Sequence, residues 1–127
     1  VETVSPDVPS TLDAAALCQM ARRGQIAGGV LDGPLAFDNA ISMQAARVKH
    51  LDSEVAGDAD ILVVPDLESG NMLAKQLEYL AGATASGVVL GARVPIALTS
   101  RADGVTARTA SALLIKLIAN HNRLVRP

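Results

Sequence analysis

The chain of 127 residues contains a single cysteine, Cys18. One thiol forms no internal disulfide and supplies no multi-cysteine metal cluster, and its free state suits a reducing compartment, so a cytoplasmic location is expected. Aromatic residues are almost as scarce: Phe37 and Tyr79 stand alone, with no Trp. Stacking platforms for single-stranded nucleic acid are therefore nearly absent, and a core has to be built from aliphatic side chains. Eleven Lys and Arg face thirteen Asp and Glu, a net charge of -2. That balance creates no global field for nucleic acid or an anionic membrane, although a local anion site stays open. No apolar run approaches the roughly 18 residues of a membrane span. The opening VETVSPDVPS lacks the charged region and long apolar stretch of a signal peptide, and it lacks an initiator Met. It reads as the start of a processed chain or of a piece of a longer one. The glycine patterns of a dinucleotide loop and of a Walker-type triphosphate loop are both missing.

Half of the residues are apolar, which at this length predicts one compact domain. After Pro6 and Pro9, Ser10 or Thr11 reads as the N-cap of a helix through TLDAAALCQMARRG ending at Gly24. Ile26 to Leu31 predicts a short strand interrupted by Gly28 and Gly29, and Asp32-Gly33-Pro34 turns the chain. Ile41, Ala45 and Val48 have the spacing of a helix over Phe37 to Val48. Ile61 to Val64 predicts a buried strand, and Leu67 to Leu80 a helix closed by Gly82, with Leu73, Leu77 and Leu80 on one side and Lys75 and Glu78 facing solvent. Gly87 to Leu90 and Val94 to Leu98 predict two more strands. Pro95 has no amide proton, so the start of the second is an edge or bulge. Gly104 to Asn120, with Thr106 as N-cap, predicts a packed helix. Strands alternating with helices imply a layered α/β/α domain around a mainly parallel or mixed sheet.

The strongest chemical candidate is ALTSRADGVTAR, where Ser100 and Arg101 follow a strand and precede a helix. Side chains at a strand's carboxyl end and amides at the next helix start converge readily on an anion. Arg101 has the donor fork for phosphate or carboxylate and Ser100 a short hydroxyl; the same residues also read as a polar turn with a solvated arginine. Asp103 is a helix cap, a proton-transfer group or a solvated carboxylate. In PDLESGN, Asp66 or Ser69 caps the following helix, and Asn71 is a weaker ligand candidate. Asp32 and Asp38 either flank a pocket or serve a turn and a helix start. His50 and His121 lack companions at metal-ligand spacing and read as surface residues. Cys18, within an Ala-Leu-rich helix, reads as a small buried side chain more readily than as a nucleophile.

Taken together, LDGPLAFDNAIS, AGDADILVVPDLESGNMLAKQLEYLAGA and GVVLGARVPIALTSR resemble the carboxyl-terminal part of the phosphate acetyltransferase and phosphate butyryltransferase family. The resemblance covers nearly the whole chain, and TSRAD with DGPLAFDNA looks closer to the butyryltransferase-like branch. Complete members are more than twice as long, and their two domains form a cleft in a fold resembling isocitrate and isopropylmalate dehydrogenases. The resemblance implies reversible acyl transfer between coenzyme A and inorganic phosphate. Acyl-CoA and phosphate give acyl phosphate and free CoA. The implied partners are those substrates and, at full length, a second copy in a homodimer; no tightly bound cofactor, metal, nucleic acid or membrane is implied.

The family's Ser-Arg pair maps onto Ser100 and Arg101. In that mapping Arg101 holds phosphate or acyl phosphate and stabilises charge at the reacting carbonyl, and Ser100 orients those groups or the thiol. One departure is visible: the aspartate that the acetyltransferases use to deprotonate the CoA thiol has its place taken by Ala107. The base is thus unassigned, and the phosphate-binding arginines of the family's amino-terminal region do not transfer onto Arg22 or Arg23. The competing reading is a noncatalytic CoA- or phosphate-binding or assembly module that keeps the fold. An unrelated sugar- or nucleotide-binding α/β domain is disfavoured by the missing glycine loops.

Overall fold

The computed structural model describes residues 1–125 and divides into two compact units, Val1–Pro65 and Asp66–Pro127. The first unit is helical. Helix α1 spans Pro9–Arg22 and begins two residues before the expected cap, because Pro9 already has the φ of a helix and its missing N–H is one the first turn leaves unbonded. Thr11 therefore lies inside the helix. It is buried, and its hydroxyl donates to the Val8 carbonyl (2.7 Å) while accepting the Ser5 amide (2.9 Å), tying the opening loop to the helix. The helix ends at Arg22, two residues before the expected Gly24, whose N–H closes it by donating to Ala21 O (2.9 Å) while Gln25 N–H donates to Met20 O (2.9 Å), the paired bonds of a Schellman motif.

Two expectations for this unit fail. Residues 26–31 form no strand, since Gly28 adopts φ +90° and breaks the extended run. The single helix expected over Phe37 to Val48 is two helices, α2 (Phe37–Ile41) and α3 (Met43–Val48). Ser42 between them is extended (φ −124°, ψ 111°), and its hydroxyl accepts the Ala45 amide (3.3 Å) as the N-cap of α3. The buried positions are accordingly Ala40 and Ala46, with Ile41 and Val48 exposed. The Ala40 carbonyl accepts the amides of both Gly57 (3.2 Å) and Ala59 (3.1 Å), which draws the 57–59 loop onto these short helices. Lys49 pairs with Asp38 (3.1 Å) and Glu2 (3.6 Å).

In the second unit α4 (Leu67–Leu80) has the expected bounds. The Asp66 carboxylate accepts the Ser69 amide (2.7 Å) as N-cap, and these hydrogen bonds from Ser69 hold its carboxyl below the usual range. Strands β1 (Gly87–Val89) and β2 (Ile96–Leu98) pair antiparallel, Gly87 opposite Leu98 and Val89 opposite Ile96. β2 starts just after Pro95, consistent with the missing proton there. Helix α5 (Val105–Val125) packs on both strands. It starts at Val105, leaving Thr106 in its first turn and not at the cap.

The expected α/β class holds, while the larger layered sheet is not formed within the described residues. The described residues form a mixed α/β arrangement with a two-stranded antiparallel sheet, because a connection as short as 90–95 permits a hairpin and not a parallel crossover. Residues 61–64 form no ladder, and Ile61 and Val63 are 81% and 80% exposed. The only apolar side chains counted as buried among the described residues are alanines: Ala40, Ala46, Ala56 and Ala107. The larger aliphatics expected to form a core line open faces instead, with Leu67 and Leu80 on α4 among the most exposed.

Candidate functional site

Strand β2 delivers Thr99 and Ser100 to its carboxyl end, and a tight turn over Ser100 to Asp103 leads into α5. The Asp103 amide donates to the Ser100 carbonyl (3.2 Å), and the Ser100 amide donates to Asp103 Oδ2 (2.6 Å), so the turn is clamped from both ends. The Arg108 guanidinium donates through Nε to the Asp103 carbonyl (3.0 Å), fastening the turn to the first turns of α5. Asp103 thus caps the serine turn; the expected bond to a helix amide is not its hydrogen-bond role. Ser100 Oγ accepts the Ala102 amide (3.3 Å). With that lone pair engaged by a donor, the hydroxyl is free to donate a hydrogen bond to a ligand.

Ser100 opens onto a cavity of about 370 Å³. It is bordered by Lys75 from α4, Ser86 just before β1, and Thr99, Ser100 and Asp103, with Ala85, Gly87 and Leu98 forming the apolar part. Arg101, one residue on, is exposed and outside that lining, and its guanidinium makes no hydrogen bond or ion pair among the described residues. The turn therefore brings Ser100 and Asp103 to one cavity and leaves Arg101 exposed beside it, outside the lining.

A buried stitch holds the wall of this cavity. Ser111 Oγ, on α5, donates to the Ala107 carbonyl (2.9 Å) and accepts the Gly87 amide (3.1 Å), joining α5 to the first residue of β1. Ser111 is 1% exposed and Ala107 8%. The expected base position is thus a packed structural one in this chain. Sequence reading missed Ser111, a serine inside an Ala-Leu helix with no partner visible in its neighbourhood. It also placed Lys75 in solvent. Lys75 Nζ lies 2.7 Å from Glu78 Oε2 and 5.6 Å from the Tyr79 ring centroid, and the same side chain borders the cavity.

The remaining candidates are not assembled with Ser100. Asn71 is exposed and does not line the cavity. Asp32 accepts its own turn's Gly33 amide (2.9 Å), and Asp38 is held below the usual carboxylate range chiefly by the Lys49 hydrogen bond. Cys18 Sγ–H points to the Gly33 carbonyl (3.7 Å), and burial foremost pushes its thiol up, the wrong direction for a nucleophile. His50 occupies the left-handed position (φ 54°) that ends α3, a backbone role. The described residues contain no group of His, Cys, Asp or Glu suited to a metal ion.

With this geometry in place, comparison with known proteins is decisive for ancestry. Residues 1–115 match the family model "Phosphate acetyl/butaryl transferase". The chain belongs to this phosphate acyltransferase family. It is 65% identical over 123 residues to a phosphate acetyltransferase of Rhizobium meliloti, which is 97% of this chain and 39% of that protein. It is 46% identical over 121 residues to a phosphate butyryltransferase of Clostridium acetobutylicum, covering 95% of this chain and 40% of the relative. A crystal structure of a branched-chain phosphotransacylase from Enterococcus faecalis superposes with a TM-score of 0.78 at 34% identity, covering 91% of this chain and 41% of that one. The chain thus spans about two fifths of the length of these relatives. Identity does not sort the branches, since a probable phosphate butyryltransferase of Bacillus subtilis is 57% identical and a phosphate acetyltransferase of Thermotoga maritima 50%. No helix among the described residues is long and apolar enough to cross a membrane.

Proposed function

We propose that this chain is the carboxyl-terminal portion of a phosphate acyltransferase that moves a short acyl group, acetyl, butyryl or a related one, between coenzyme A and inorganic phosphate. The observation that carries the reading is the family match over 1–115 together with the Ser100 hydroxyl at a cavity beyond β2. A phosphate oxygen attacks the thioester carbonyl carbon. The C–O bond forms, the C–S bond breaks, and the sulfur keeps the electron pair and then takes a proton as free CoA leaves. The Ser100 hydroxyl, which accepts the Ala102 amide, donates a hydrogen bond to an oxygen of the reacting phosphate and keeps its proton, and no covalent serine intermediate is needed. Arg101, with no protein partner among the described residues, supplies its fork to the phosphate or to the developing charge at the carbonyl. Coenzyme A acts as substrate, with no tightly bound cofactor, metal, nucleic acid or membrane in the scheme.

The larger architecture follows the same reading. Residues 61–64, with the exposed aliphatics Ile61 and Val63, take a strand's place in the larger parallel or mixed sheet of a layered α/β/α fold like that of isocitrate and isopropylmalate dehydrogenases. The whole protein has a cleft between two domains and works as a cytoplasmic homodimer; the exposed aliphatic faces and the single unpaired thiol support this. Ala107 in the base position favours a second reading, a noncatalytic CoA- or phosphate-binding or assembly module.

The deciding experiment supplies acetyl-CoA or butyryl-CoA with inorganic phosphate and follows thiol release and acyl phosphate, using the 127-residue chain and the protein at its full natural length. Turnover by the latter supports the enzyme; binding of CoA without turnover supports the module. Arg101→Ala is expected to lower turnover roughly hundredfold, the scale of losing one charge-stabilising donor, without loss of folding. Wild-type turnover by a folded variant removes Arg101 from the mechanism.

A further inference from the structure

The cavity at Ser100 contains one cation, and it comes from a different element. Lys75 stands on α4, while Ser86, Thr99 and Ser100 come from the hairpin and its flanks. Three hydroxyl-bearing residues and one ammonium border a mostly apolar, open space, so the few donors there are the groups that a ligand with acceptor oxygens would meet. Building on the acyltransferase reading, we propose that Lys75 is a further substrate-binding residue, its ammonium holding the phosphate group that Ser100 orients in the same cavity.

Several features define the role. Lys75 has three N–H donors and gives one to Glu78 at 2.7 Å, leaving two for a ligand. Its stem runs by Tyr79, with Nζ 5.6 Å from the ring centroid, which narrows the arc the ammonium can sweep. The Glu78 hydrogen bond, first among the causes, raises the lysine above its ordinary value, so the side chain is a fixed cation and not the missing base. Asp103, also on the lining, gives one carboxylate oxygen to the Ser100 amide. That bond offsets part of the repulsion an incoming anion would meet.

The test compares wild type, K75Q, K75R and E78Q at full natural length, measuring the KM for inorganic phosphate, kcat at saturating phosphate, and direct binding of inorganic phosphate by 31P line broadening. Losing a charged hydrogen bond to phosphate is expected to raise the phosphate KM of K75Q about tenfold or more, with kcat changed less than about threefold. K75R retains the charge and recovers most of the affinity. E78Q, which frees Lys75, leaves the phosphate KM unchanged or lower. A purely structural pair predicts that K75Q and E78Q behave alike, and that result overturns the proposal. So does phosphate binding that is the same in wild type and a folded K75Q. If wild type shows Lys75-dependent phosphate binding but no acyl transfer, the acyltransferase reading falls and the anion site stands.

Discussion

Ser111→Ala tests whether α5 holds the wall of the cavity through a single hydroxyl. The substitution removes both bonds of Oγ, the donation to the Ala107 carbonyl (2.9 Å) and the acceptance of the Gly87 amide (3.1 Å). The carbonyl lies in the helix ladder and keeps a partner, whereas the Gly87 amide loses its side-chain acceptor beside a residue that is 1% exposed. A part-buried amide stripped of a partner costs about 1–2 kcal/mol. Alanine returns up to about 0.5 kcal/mol through higher helix propensity, leaving a net loss near 1 kcal/mol. Thr109→Ala, exposed on the same helix, gains the same propensity and loses no such bond, so it serves as the sign control. Denaturant unfolding measures the stabilities, and amide hydrogen exchange at Gly87 reports the local event. Exchange there should accelerate about tenfold in the Ser111 variant, the factor that 1.4 kcal/mol of local opening produces. If Ser111→Ala matches Thr109→Ala in stability and leaves Gly87 exchange unchanged, the stitch has no energetic content and the cavity wall is held otherwise.

Two further substitutions probe the first unit and the start of α4. Gly57 has φ +94°, and a Cβ there would lie 2.6 Å from Met43 Cα and 2.8 Å from Met43 N, so Gly57→Ala is expected to cost at least about 2 kcal/mol, read as a lower melting temperature; an unchanged melting point refutes the close approach of the 57–59 loop to α3. Asp66, held low mainly by the Ser69 amide, contributes stability that is present above its unfolded value of about 3.9 and is lost as pH falls through its lower folded value. Asp66→Asn keeps an acceptor but removes that titration. The urea midpoints of the two proteins should therefore differ above about pH 4 and converge below it, and a gap independent of pH contradicts the cap.

Legibility from sequence followed the range of the interactions. α4 was readable to the residue because its cap, Asp66 to Ser69, and its leucine period are both local. The end of α1 was readable for the same reason, since its closing bonds span only residues 20–25. Its start was misjudged by two residues because Pro9 competes with Ser10 and Thr11 for the opening of the helix, and hydroxyls inside a first turn look like caps in one dimension. The break at Ser42 was hidden by an apolar period that runs through it, although a serine three residues before an amide it can cap is the signal that was available. Strands were the poorest part. A strand exists only if another pairs with it, and residues 61–64 have the composition of a strand and no partner among the described residues.

The site divides along the same line. The position of Ser100 at a strand end before a helix is legible from adjacent residues, while Lys75 reads as solvent-facing because its own helix turns it away from the leucine stripe. Its place at the cavity depends on residues 85–87 and 98–100, and no pattern within α4 encodes them. Ala107 carries the converse lesson. By the family resemblance it stands where a base is expected, yet its carbonyl receives the Ser111 hydroxyl and its side chain is 8% exposed. A carboxylate at that position would be drawn into packing against which it has no charged partner among the described residues, at the cost that burying an unpaired charge carries. In this chain the inner face of α5 is therefore committed to holding β1 in place, and in the proposed acyl transfer the proton chemistry falls to a group elsewhere.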